Sequence, residues 1–216
     1  MKVKICGIRN GTELAMALNA GADAVGFITE VPVDSPRKIS LVEAAMLISR
    51  VPVFVTSVLV IMPENAEQAI SMIQTSAPAA VQIHSDLKTR ELAKIKETGV
   101  KLIKTIPVSP HSELETLLKK AGELSGIADA ILLDTAMDGK SGGTGVPHNW
   151  EISSQFVLKA GMPVILAGGL NPENVSYAVK SVKPYAVDTA SGVETDGRKD
   201  QKKIVTFIRN ARLHEI

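Results

Sequence analysis

The feature that most limits how this chain folds is an alternation of two kinds of segment. Short apolar runs rich in β-branched residues fall at Val3–Gly7, Ala24–Ile28, Val53–Val60, Ala80–His84, Lys101–Val108, Ala130–Asp134, Val164–Gly168 and Ala186–Ala190. They are bounded by Gly, Pro, Asp or Ser and have strand length. Between them lie helical patterns at Thr12–Asn19, Leu41–Ser49, Pro63–Thr75, Lys88–Thr98, Ser112–Leu124, Glu151–Lys159, Pro172–Val182 and Asp200–Ala211. Start and stop signals accompany them: Asn171 with Pro172 reads as an N-cap and first turn, Ser112 and Glu115 have capping-box spacing, and Gly21, Gly99 and Gly161 sit at helix ends. A parallel strand reaches its neighbour only through a crossover, and eight such units can close a sheet on itself. The 216 residues leave about 27 for each unit. This predicts an α/β protein with one (β/α)8 barrel domain over residues 1–216, and an open doubly wound sheet as the alternative that pattern alone does not separate from it.

Composition narrows the function classes. Hydrophobic residues are 45%, and 24 Lys and Arg against 23 Asp and Glu give a net charge of +1. That balance argues against both disorder and a basic nucleic-acid surface. The aromatic share of 3% suits strands buried on both faces by aliphatic side chains, and leaves little for stacking on bases. A single cysteine forms no internal disulfide. No apolar run reaches the roughly 18 residues that span a bilayer, and the charged N-terminus is unlike a signal peptide. A cytoplasmic protein that binds neither nucleic acid nor membrane is expected.

In such barrels chemistry gathers at the C-terminal ends of the strands. Cys6 ends the first strand before Gly7; it is either a small buried hydrophobe or a reactive thiol, with Lys4 on the same strand face. Asp134 closes the aliphatic run Ile131-Leu132-Leu133, where a carboxylate is costly without a partner or a task. Asp188 shares a strand face with Ala186 and Ala190. Three glycine-rich segments follow consecutive strands, Ser141-Gly142-Gly143-Thr144-Gly145, Ala167-Gly168-Gly169 and Ala190-Ser191-Gly192. Their unobstructed N–H groups suit a phosphate, which these barrels recurrently hold after the last two strands. Arg37, stiffened by Pro36, has the fork to grip a carboxylate. His84 ends the fourth strand as a binding or a structural imidazole. His111, His148 and His214 show no metal-ligand spacing, so no metal is expected.

Read in order, these segments resemble the phosphoribosylanthranilate isomerase family. The matching motifs are Lys4-Ile5-Cys6-Gly7-Ile8, Gly21 through Phe27, Ser35-Pro36-Arg37, Val81-Gln82-Ile83-His84, Leu132-Leu133-Asp134-Thr135, Gly142-Gly143-Thr144-Gly145, Ala167 through Asn174, and Asp188 through Glu194. The resemblance implies a cofactor-free Amadori rearrangement of N-(5′-phosphoribosyl)anthranilate to its 1-deoxyribulose isomer in tryptophan biosynthesis. It implies Cys6 as general base and Asp134 as general acid. Arg37 is then expected on the anthranilate carboxylate, Asp188 near its amino group, and Gly143, Gly168, Gly169, Ser191 and Gly192 around the phosphate, with His84 a further substrate contact.

Departures from the family pattern spare Cys6, Asp134 and Arg37: they are Ile28 through Val33 in the second loop, Thr56 through Ile61 in the third strand, Asn149 before Trp150, and Ala190 in place of a serine. Another phosphosugar isomerase, in which Arg37 would lack a carboxylate, and a non-catalytic phosphometabolite binder are the competing readings. A monomer and a homodimer both remain open, with Val31, Val33 and Met62 as apolar loop residues available to an interface.

Overall fold

Eight parallel strands pair into a closed ring in the computed structural model, which describes residues 1–32, 34–137, 140–141 and 149–213. The ring strands are β1 (Lys2–Cys6), β2 (Ala24–Ile28), β3 (Thr56–Ile61), β4 (Ala80–Ile83), β5 (Lys101–Val108), β6 (Ala130–Met137), β8 (Val164–Leu166) and β9 (Ala186–Thr189). β1 pairs with β2 on one side and β9 on the other, and the β5–β6 pairing leaves no open edge. The doubly wound alternative is thereby excluded. Outside stand α1 (Gly11–Asn19), α2 (Leu41–Ile48), α3 (Ala66–Ser76), α4 (Thr89–Lys96), α5 (Leu114–Leu124), α6 (Trp150–Lys159), α7 (Val175–Val182) and α8 (Gln201–Arg212). Among the described residues, no helix is long and apolar enough to cross a membrane.

The two-residue period of a strand sorts its side chains into two cores. Outward residues such as Ile5, Val25, Phe27, Leu59, Ile61, Val81 and Leu133 pack beneath the helices. Inward ones, including Cys6, Val58, Val60, Ala80, Ile103, Leu132 and Ala186, fill the barrel. On that same inward parity, toward the C-terminal ends, the chain places its buried polar groups Lys4, Gln82, Thr105, Asp134 and Asp188. Aliphatic packing thus supports the floor and chemistry occupies the mouth. Of four phenylalanines, Phe27, Phe156 and Phe207 are wholly buried and Phe54 is 100% exposed.

Helix starts are tied by side chains. Asn10 accepts from Glu13 N at 2.9 Å, and Ser40 and Glu43 form a reciprocal box at 3.2 and 2.9 Å; such caps contribute about 1 kcal/mol each. The box expected at Ser112 and Glu115 does not form. Ser112 Oγ accepts from Ser109 N at 2.9 Å instead, closing a turn ahead of α5, which begins at Leu114. Asn171 does cap a turn, accepting from Glu173 and Asn174 at 2.9 and 3.0 Å, but regular helix starts only at Val175. β3 starts at Thr56, three residues late, because Val55 N bonds back to Pro52 O and Phe54 takes φ 77°. Asn149, in place of the usual aspartate, still caps α6 through Glu151 N at 2.9 Å. Two short pairings were not expected: β7 (Lys140–Ser141) against the end of β6, and the hairpin β10 (Glu194–Thr195) with β11 (Arg198–Lys199).

Candidate active site

β1 delivers two inward side chains, Lys4 and then Cys6. Register sets Lys4 beside Asp188 of β9, and its Nζ lies 3.0 Å from Asp188 Oδ1 in a buried ion pair. Across the other edge, Cys6 faces Gly26 of β2. A methyl group at Gly26 would stand 2.7 Å from Cys6 Sγ and 3.2 Å from Lys4 Cε, so the glycine makes room for both. Burial alone would lower Lys4, but Asp188 and the Cys6 sulfur outweigh it and hold its ammonium above the usual lysine range. For Cys6, burial wins: the thiol is pushed up, with Lys4 pulling the other way. Thiolate formed there is a strong base with a cation beside it.

Asp134 is 7% exposed on β6, third from β1 around the ring by way of β9 and β8. Its Oδ2 lies 3.4 Å from His84 Nε2 at the end of β4. Asp188 stands between the two candidates and feels the charges of both Lys4 and Asp134. One mouth therefore collects Cys6, Asp134, Asp188 and His84. Asp188 is engaged by Lys4, a partner the sequence reading did not assign to it.

Arg37 arrives from the loop after β2. Ile39 N bonds back to Ile28 O at 3.0 Å and Lys38 Nζ reaches Val31 O at 3.2 Å, folding that loop onto the barrel despite its atypical sequence. Val31 is buried in this fold and so offers no interface; Val33, the other apolar residue of that loop, lies outside the described residues. The Arg37 stem crosses Gly7, where φ is +76° and an added methyl would meet Arg37 Cδ at 2.7 Å. Its guanidinium is held by Glu194, Nε to Oε1 at 2.8 Å and Nη2 to Oε2 at 2.7 Å. Lys199 donates to the same Oε1 at 2.7 Å and to Ala190 O at 2.8 Å. Burial would raise Glu194, but the bonds from Arg37 and Lys199 outweigh it and keep the carboxyl below its usual range. Sequence reasoning gave Glu194 and Lys199 no role. The available signal was the Asp196-Gly197 dipeptide, a hairpin turn that pairs residues of opposite charge across it.

The glycine-rich ends of β8 and β9 lock together. Thr189 Oγ1 donates to Leu170 O at 2.7 Å, and Asn174 Nδ2 to Gly169 O at 2.9 Å. Gly168 turns at φ +86°, and a methyl there would strike Thr135; one on Gly192 would strike Leu170 O. Among the described residues, no backbone carbonyl accepts from the N–H groups of Gly168, Gly169, Ser191 or Gly192. That is the donor set an anion requires. Gly143 and His148 lie outside the described residues, as does His214. Among those described, no group of three or more His, Cys, Asp or Glu is placed to hold a metal. The arrangement can move protons between a thiol and a carboxyl while holding two anionic groups of one ligand.

The chain matches the family model described as N-(5′-phosphoribosyl)anthranilate isomerase over residues 3–210. It is 50% identical to the N-(5′-phosphoribosyl)anthranilate isomerase of Methanosarcina acetivorans, over 98% of this chain and 93% of that one. The crystal structure of phosphoribosyl anthranilate isomerase from Thermotoga maritima superposes with a TM-score of 0.85 at 35% identity, covering 98% of both chains. A crystal structure described as phosphoribosyl anthranilate isomerase in complex with reduced 1-(o-carboxyphenylamino)-1-deoxyribulose 5-phosphate gives a TM-score of 0.82 at 34% identity over 98% of both chains.

Proposed function

This chain belongs to the N-(5′-phosphoribosyl)anthranilate isomerase family, and we propose that it carries out that isomerisation with Cys6 as general base and Asp134 as general acid. The reaction moves N-(5′-phosphoribosyl)anthranilate to 1-(2-carboxyphenylamino)-1-deoxyribulose 5-phosphate in tryptophan biosynthesis. The observation that carries the residue roles is the inward placement of both groups toward the C-terminal side of β1 and β6, with Asp188 on β9 between those strands in the ring.

Asp134, in its protonated form, gives its proton to the ribose ring oxygen. The C1′–O bond breaks and nitrogen supplies the electron pair for a C1′=N bond, opening the ring. Cys6 thiolate then takes the C2′ proton, and those electrons move through C1′ to neutralise the nitrogen cation. The resulting enol collapses to the C2′ ketone as C1′ gains a proton. Each such transfer contributes about 10²–10⁴-fold in rate. Lys4 keeps a cation beside the sulfur, and His84 supports Asp134. The N–H groups of Gly168, Gly169, Ser191 and Gly192 take the phosphate, joined by Gly143, and Arg37 takes the anthranilate carboxylate with Asp188 toward the amino group. The reading needs no cofactor.

Cys6→Ala and Asp134→Asn are each expected to lower kcat about 10²–10⁴-fold while the fold persists. Fluorescence-monitored consumption of phosphoribosylanthranilate by the purified variants checks this; near-normal turnover in either would remove the assigned mechanism.

Residues 1–216 act as one domain, in the cytoplasm, on this reading. The chain pairs with a second copy through the loop before β3. A solved relative from Thermotoga maritima, 32% identical over 98% of both chains with a TM-score of 0.82, is described as monomers generated from a dimeric enzyme. Support in this chain is Phe54, fully exposed beside Val53 at 80%, next to a cleft of about 360 Å³ lined by Pro52, Val53, Val55, Ala77 and Pro78. A protruding aromatic beside a cleft suits a two-fold exchange in which each subunit fills the other's cleft.

A further inference from the structure

Arg37 can receive a carboxylate in more than one orientation, because its guanidinium carries five donors around a plane. The structure narrows that choice. Glu194 takes the whole Nε–Nη2 side of the fork, at 2.8 and 2.7 Å. What remains for a ligand is the terminal edge formed by Nη1 and the second proton of Nη2. The stem lies against Gly7, close enough that a methyl there would meet Arg37 Cδ at 2.7 Å, and the two bonds to Glu194 hold the fork in this orientation.

Glu194 is itself fixed. Its side chain is 5% exposed, and its Oε1 also accepts from Lys199 Nζ at 2.7 Å. The Lys199 side chain is 0% exposed, so departure of Glu194 would leave a buried ammonium without its counter-ion. The Glu194 carbonyl takes Lys203 Nζ at 2.7 Å, and the hairpin pairs Glu194 directly with Lys199. A carboxylate tied in these ways is a fixture of the site and not a stand-in for the substrate's own carboxylate.

We propose that Glu194, anchored by Lys199, is the positioning residue that aims Arg37 at the substrate carboxylate and so sets preference for an anthranilate-bearing substrate. The inference rests on Arg37 being the group that takes that carboxylate. It makes the hairpin after β9 part of the specificity apparatus although it sits 157 residues from Arg37 in the chain.

The test compares phosphoribosylanthranilate with phosphoribosylaniline, which lacks the carboxylate, in Arg37→Ala, Glu194→Gln, Glu194→Asp and the Glu194→Gln/Lys199→Met double variant. Glu194→Gln is expected to raise KM for the anthranilate substrate roughly tenfold, with kcat within about twofold and the aniline substrate unaffected. Glu194→Asp should recover part of the loss. The double variant removes the charge pair without orphaning Lys199, so it carries the test should Glu194→Gln fold poorly. A general loosening would weaken both substrates alike and so overturns the proposal. If Arg37→Ala abolishes the preference but every folded Glu194 variant retains it, the positioning role falls and the Arg37 role stands. If Arg37→Ala leaves the preference intact, both fall. A lower KM in Glu194→Gln would identify Glu194 as a competitor of the substrate and overturn the proposal as well.

Discussion

Replacing Lys4 by Met separates what the Lys4–Asp188 pair does for folding from what it does for the thiol. The two charges lie 3.0 Å apart with side chains 3% and 9% exposed. Removing one partner of such a pair strands the other, at a cost of about 3–5 kcal/mol. For a domain of this size that corresponds to a fall in Tm of roughly 10 °C. Against a typical stability of about 5–15 kcal/mol the variant still folds. Adding Asp188→Asn removes the stranded charge and should recover much of the Tm. The effect on Cys6 differs in kind. Burial raises its thiol and Lys4 is the largest influence opposing that rise. Without the ammonium the thiol rises further, so a higher pH is needed to form the thiolate proposed as base. The acid limb of kcat/KM, which reports the free enzyme, must therefore move to higher pH in Lys4→Met and, because the Asp188 charge also raises the thiol, return only part of the way in the double variant. Stopped-flow alkylation of Cys6 by iodoacetamide across pH gives an independent reading of the same ionisation. An acid limb that stays in place or moves to lower pH in Lys4→Met would refute the reasoning, as would full recovery of the limb together with Tm in the double variant.

Gly192→Ala would force its methyl against the Leu170 carbonyl and to 2.8 Å from Thr189 Oγ1; overpacking of this kind costs about 1–3 kcal/mol, and calorimetry together with an increase in KM of roughly tenfold or more, from lost phosphate contacts, checks it. An unchanged KM would remove Gly192 from the phosphate site. Phe54→Glu should leave activity per chain intact while sedimentation velocity reports a monomer; a dimer that persists rules out the Phe54 interface. Acid stability should depend on Asp129, whose burial would raise it but whose bonds from Lys96, Leu102 N and Lys101 hold it below the usual aspartate range. Its contribution is present above the unfolded value of about 3.9 and is lost as pH falls through the lower folded value. In urea titrations, Asp129→Asn should therefore destabilise at pH 7 and much less near pH 2.

Alternation of short apolar runs with amphipathic segments was sufficient for the ring strands and outer helices, because a strand buried on both faces is apolar along its length while a helix covering it is apolar on one side. β2 and β5 run over Ala24–Ile28 and Lys101–Val108 as the apolar runs read. Errors arose where a local signal had a second use. Ser112 was spent on Ser109, and Phe54 adopted a left-handed backbone that delayed β3. Cys6, Asp134 and His84 were visible as polar or reactive residues ending apolar runs, Asp188 as a carboxylate inside one, and Arg37 as a loop fork stiffened by Pro36, since a chain seldom puts a polar group in an apolar run without a partner or task.

What sequence alone determined is the alternation of segments, the parity that turns Lys4, Cys6, Asp134 and Asp188 inward, and the positions of the flexible glycines. Those properties are local, set by the two-residue period of a strand and by the steric freedom of single residues. Partnership was decided only by closure of the ring. Lys4 meets Asp188 because β1 and β9 become neighbours when the first and last strands join, and Arg37 meets Glu194 because two loops far apart in the chain rise beside the same mouth. Attraction between charges depends on distance through space, which one-dimensional order does not contain.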